Sequence, residues 1–211
     1  MRKVVAVLAG SALALAGCGK KAPVLPTAPT EQAAACAAIQ AASEQETAGA
    51  TGHLSAEAQE RVLQYALLAS SGSGSFDADT ADTVVKRTPA IFDQTVKGKW
   101  KTLKPACAAA YPATAQTNPT LPDRPAERVL QCYVLTEFMR KALGQIPGRY
   151  ADATLTLGVL ADKLDGKVGS EVKRLGLKGE ALQAEKAKAL AAAAGLGSPP
   201  AVIAACGKAF G

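Results

Sequence analysis

The chain is short of most residues that carry chemistry. Its 211 residues include one histidine, one tryptophan and two methionines, and only 4% are aromatic. A lone histidine, His53, leaves no set of imidazole ligands for a zinc site and no oriented base for a hydrolase triad. None of the five cysteines stands in a C-x-x-C pair, which excludes thioredoxin-type redox work and C-x-x-C-H haem attachment. No G-x-S-x-G elbow or phosphate-cradling glycine loop is present. A formal charge of +6 is mild and carries no nucleic-acid signature. No catalytic residue, metal ligand or cofactor is assigned on these grounds.

The N-terminus is more informative. Arg2 and Lys3 precede an uncharged apolar run, Val4 to Ala16, that is too short and wrongly flanked for a membrane span and reads as a secretory signal. The run ends in Leu15-Ala16-Gly17-Cys18. This tetrapeptide resembles the lipobox of bacterial lipoproteins. The resemblance covers the export segment only, and implies diacylglycerol transfer to Cys18, cleavage before it and acylation of the new amino terminus. Ala14-Leu15-Ala16 also matches the A-x-A site of an ordinary signal peptidase. Cysteine parity favours the lipobox: with Cys18 lipidated, Cys36, Cys107, Cys132 and Cys206 remain as an even set for an oxidising periplasm. Gly19, in place of a retention-type Asp, implies by the same resemblance the outer membrane of a Gram-negative envelope. Three acyl chains would anchor stably, with Lys20 and Lys21 beside anionic headgroups.

The expected organisation is a signal peptide over 1–17, a proline-rich tether over 18–29, a helical unit over 30–111, a proline-rich linker over 112–124 and a second helical unit over 125–211. The tether could reach roughly 40 Å at full extension. Abundant alanine and few aromatics favour helix over strand, so the fold class is all-α, a bundle of about seven helices. Helices are expected over Glu31–Gln45 with Thr30 as N-cap, from a Ser55 cap through Leu68, from Asp79 to Pro89, and from Pro89 through Cys107 with a kink at Pro105. In the second half they are expected over Ala151–Leu175 and Gly179–Ala194, with a last one opening at Ser198-Pro199. Leu157, Leu160, Leu164, Val168, Val172 and Leu175 form a stripe that reads as core.

The two halves begin and end alike. Pro29-Thr-Glu31 leads to Cys36 and Pro125-Ala-Glu127 to Cys132, both as P-x-E-x-x-x-x-C. Cys107 and Cys206 both stand in A-C-x-x-A followed by an aromatic residue. Matched motifs at matched spacing read as a tandem duplication. An ancestral unit bridging its own ends would give Cys36–Cys107 and Cys132–Cys206, each closing a loop of roughly 70 residues for about 4 kcal/mol. Sequence alone leaves three connectivities open, and the rival set is Cys107–Cys132 with Cys36–Cys206.

The remaining polar clusters have bland readings. His53 reads as a solvated loop residue. Asp77, Asp79 and Asp82 lack the glycine and distal Glu of a calcium loop, and read as an acidic helix start capped by Asp79. Lys86, Arg87, Lys97, Lys99, Lys101 and Lys104 make a basic stretch. Its sharp reading is contact with an anionic envelope component through Lys97, Lys101 and Lys104, against an ordinary solvated helix face. The expected function is a non-enzymatic binding or scaffolding lipoprotein, its domain facing the periplasm, held to the membrane through Cys18 and working on an envelope protein or anionic component. The alternative is a carrier or sensor of a small apolar ligand held between helices.

Overall fold

A computed structural model describes residues 24–49 and 53–210. The expected signal peptide, the lipidation site Cys18 and the tether as far as residue 23 lie outside the described residues. Eight α-helices follow in order: α1 Pro29–Thr47, α2 Ala56–Ser70, α3 Ala78–Val96, α4 Lys104–Ala110, α5 Pro125–Gly144, α6 Ala151–Arg174, α7 Gly179–Leu196 and α8 Pro199–Phe210. Two 3-10 turns, Trp100–Leu103 and Pro112–Ala115, complete the described residues, which contain no strand. The fold is all-α, as the composition indicates.

Each half wraps its first helix. In the first, α2 and α3 pack on α1, and the Cys36–Cys107 disulfide ties α1 to α4. In the second, α6 and α7 pack on α5, and Cys132–Cys206 ties α5 to α8. The pairing is the one the repeat predicts, first helix to last. Pro29 and Pro125 open α1 and α5, so the shared P-x-E motif marks the same structural start, where a missing N–H costs no helical bond.

The two central helices bury different chemistry. α1 is covered nearly all round with small side chains, Ala33, Ala34, Ala37, Ala38 and Cys36 among them. α5 instead buries Leu135, Met139 and Leu143. α2 serves both cores: Val62, Tyr65 and Ala66 join the first, while Leu63 and Leu67 join the second. The α2 face toward the second half is pinned by Gln64, whose Nε2 donates to the Gly197 carbonyl at 2.9 Å. Gly197 is confined in turn. A Cβ there would stand 2.7 Å from the Gln116 carbonyl oxygen, which accepts from Ser198 N. The 112–124 segment is thereby strapped to the α7–α8 corner.

Local differences from expectation have physical causes. α3 runs unbroken through Pro89; the Val85 carbonyl loses its amide partner, but exposed Val85 leaves that oxygen near solvent. The break comes instead at 97–99 beside Gly98, and Pro105 begins α4 rather than kinking a longer helix. Asp77, not Asp79, caps α3, its carboxylate accepting from Thr80 N at 2.9 Å. Ala28 rather than Thr30 precedes α1, which has no side-chain cap. Ser55 caps α2 as expected, accepting from Ala58 N. On α6, Leu157, Leu164 and Val168 are buried, whereas Leu175 is half exposed at the helix end.

Candidate functional site

The one histidine stands at the mouth of a cleft in the first half. α1 and α2 are joined by a short loop and run antiparallel, with α3 beside them, and the three enclose a partly open volume of about 470 Å³. That lies within the roughly 300–1,000 Å³ of small-ligand sites. The apolar wall comes from Ala37, Ala41, Val62, Ala66, Val84 and Phe92. Ala37 and Ala41 on α1 are themselves buried and form the floor of the cleft, while Val85, Pro89 and Phe92 on α3 stand more open.

The polar members gather at one end. Gln45 near the end of α1 and Gln59 near the start of α2 flank the same interhelical loop, which also carries His53. Asp93 lines the cleft from the C-terminal part of α3. Arg149 and Tyr150 arrive from the second half, on the turn between α5 and α6. Gly148, at φ 68°, supplies the left-handed residue for that turn. The Tyr150 hydroxyl donates to the Leu54 carbonyl at 3.0 Å, and Arg149 Nη2 lies 3.4 Å from His53 Nε2. Across the back of this end, Arg61 grips Glu44 through two bonds of 2.6 and 3.0 Å, which with Gln40 holds the Glu44 carboxyl below the usual carboxylate range. This brace fixes α1 against α2.

The sequence-predicted positions fare differently. The four disulfide cysteines are paired. The basic stretch is largely engaged: Lys101 pairs with Glu46, Lys104 Nζ donates to Ser43 Oγ at 2.8 Å, Arg87 pairs with Glu31 and Lys86 with Asp82. Lys97 closes the C-terminus of α3 in solvent. Ser170 and Lys173 have S-x-x-K spacing, but Ser170 Oγ donates to the Gly166 carbonyl on the exposed face of α6.

Sequence reasoning missed Arg149, Asp93 and Glu60. Glu60 is buried on α2, and burial pushes its carboxyl up to about 7, aided by Glu57 and opposed by Arg61. Gln131 Oε1 on α5 is buried without a partner. Among the described residues, no three His, Cys, Asp or Glu side chains cluster to hold a metal. A second depression of about 450 Å³ lies between α5 and α7. Its charges answer one another, Lys141 reaching Glu137 at 3.9 Å and Lys186 lying over the Tyr133 ring.

No single helix among the described residues is long and apolar enough to cross a membrane. No protein family, curated protein or solved structure matches the chain.

Proposed function

We propose that the chain is a lipid-anchored, non-enzymatic binding protein of the bacterial envelope, its domain facing the periplasm, and that the α1–α2–α3 cleft is its binding element. The anchor rests on Leu15-Ala16-Gly17-Cys18 and on cysteine parity. The observation that carries the binding reading is the cleft itself: an apolar wall, with polar groups gathered at one end. Of the two functions expected from sequence, this supports the alternative, a small ligand held between helices, over the leading one, a scaffold acting through a protein surface.

The test is recovery of ligand from cells. The protein is isolated from envelopes in parallel with a Val85→Trp variant, whose indole fills the cleft from an exposed wall position. A small molecule retained by the native chain and lost from the variant supports the reading; equal retention contradicts it. Radiolabelled palmitate incorporated by the native chain and not by Cys18→Ser tests the anchor separately.

One observation favours the scaffolding reading as a second possibility. Leu155 and Val159, one turn apart on α6, are 70% and 52% exposed. In vivo crosslinking from position 155 that captures one envelope protein reproducibly would support it; capture of lipid alone would oppose it.

A further inference from the structure

The cleft lining carries two opposite charges that are not used by the fold. Arg149 and Asp93 face the same cleft, yet neither forms an ion pair with the other or with any charged group among the described residues. The neighbouring pairs behave otherwise. Glu44 with Arg61 and Lys101 with Glu46 are each closed locally. Among the described residues, the one side-chain hydrogen-bond approach of Arg149 is the long one to His53, which leaves most of its guanidinium donors without a partner there. Asp93 contributes its backbone carbonyl to Lys97 N, and its carboxylate has no hydrogen-bond partner among the described residues.

Helix direction orders the lining from end to end. α2 runs back along α1, so Ala37 and Ala66 lie together at one end, and Gln45 and Gln59 at the other. Phe92 lines a neighbouring depression with Ala42 and Gln45, which places Asp93 at the polar end. The cleft is therefore apolar at one end and carries a separated cation and anion at the other. A purely anionic head would meet Arg149 but be repelled by Asp93, and a purely cationic head the reverse. A head bearing both charges answers both residues, and its chain covers the apolar wall.

Resting on the cleft reading above, we propose that the ligand is a single-chain zwitterionic amphiphile, its anionic group on Arg149, its cationic group on Asp93 and its apolar chain against the apolar wall of the cleft, whose more open members are Val85, Pro89 and Phe92. The volume suits one chain. Arg149 belongs to the second half and Asp93 to the first, so the bound head also bridges the two. Arg is suited to the anionic side because its planar fork engages carboxylate or phosphate through two bonds.

The experiment is calorimetric titration of the full chain carrying Cys18→Ser with four decyl probes, each below its micelle threshold: decylphosphocholine, decanoate, decyltrimethylammonium and decanol. Decylphosphocholine is expected to bind at least tenfold more tightly than any of the others. Asp93→Asn should bring decanoate up to within about threefold of decylphosphocholine, a gap of under one decade. Arg149→Gln should do the same for decyltrimethylammonium. Both residues are exposed, so neither change removes core packing, and circular dichroism verifies the fold. Equal affinity for all four probes would overturn the zwitterion proposal and leave the cleft reading standing. Binding of none would overturn the zwitterion proposal, and ligand recovery from envelopes then decides the cleft reading. Binding of decylphosphocholine that survives Val85→Trp is adsorption on another face, such as that around Leu155, and would also overturn it.

Discussion

The two halves share an order of helices and a disulfide from first helix to last, and differ in what the first helix buries. α5 carries Leu135, Met139 and Leu143 into its core, and neighbours close on large side chains. α1 carries alanines, which its neighbours cover closely, and the cleft lies along the seam where α1, α2 and α3 meet. The same order of helices thus gives one unit with large side chains at its centre and one with small side chains there. The difference teaches that the disulfide and the large side chains are partly interchangeable supports. Where side chains are small the staple matters more, since a unit of this size has a marginal core by itself.

The largest effect expected follows from that. Replacing Cys36 and Cys107 by serine should cost about 4 kcal/mol and leave the first half unfolding before the second, whereas the same change at Cys132 and Cys206 should lower stability similarly without separating two transitions. Calorimetry on both double variants reads this, and two transitions in the Cys132/Cys206 variant alone would reverse the comparison. Next comes side-chain truncation. Leu135→Ala should cost about 3 kcal/mol in chemical denaturation, against about 1 kcal/mol for Ala38→Gly at an equally buried position of α1.

Glu60 lies on the helix that both halves share, and its carboxyl titrates at about 7 rather than the ordinary 4.5. The folded chain therefore holds this proton more tightly than the unfolded chain. Its contribution is fully present below pH 4.5, declines between 4.5 and about 7, and is absent above. Glu60→Gln should accordingly stabilise the protein by roughly 3 kcal/mol at pH 8 and by almost nothing at pH 4. A gain equal at both values would show that desolvation of the charge is not the cause. The smallest effect is at the surface: Lys101→Ala, losing an exposed pair with Glu46, should shift stability by under about 0.5 kcal/mol.

How much of this was legible depended on contrast in the sequence. The disulfide pairing was legible because two motifs recur in order, and α6 because its apolar positions recur at helical spacing. α1 gave no such contrast: a run of alanines looks the same on every face, so neither its burial nor the cleft beside it could be read. Pro89 was misplaced as a helix boundary because a lost bond is tolerable where solvent is close, which only exposure reveals. Glu60 sits in Glu-Ala-Gln-Glu-Arg, a pattern of ordinary surface helix, and is buried because α2 has a second half packed on its other side. Arg149 follows Pro147-Gly148, which marks a turn but not the cleft 96 residues away in sequence at His53 to which the turn delivers it.

Methyl-resolved NMR during titration with decylphosphocholine tests the central claim most directly, that the alanine-walled half holds the binding site. Shift changes should appear at Ala37, Ala41, Val62, Ala66 and Val84, with Leu135, Met139 and Leu143 unmoved. Changes centred on the α5 core, or on Leu155 and Val159 of α6, with the first-half methyls still, would contradict it.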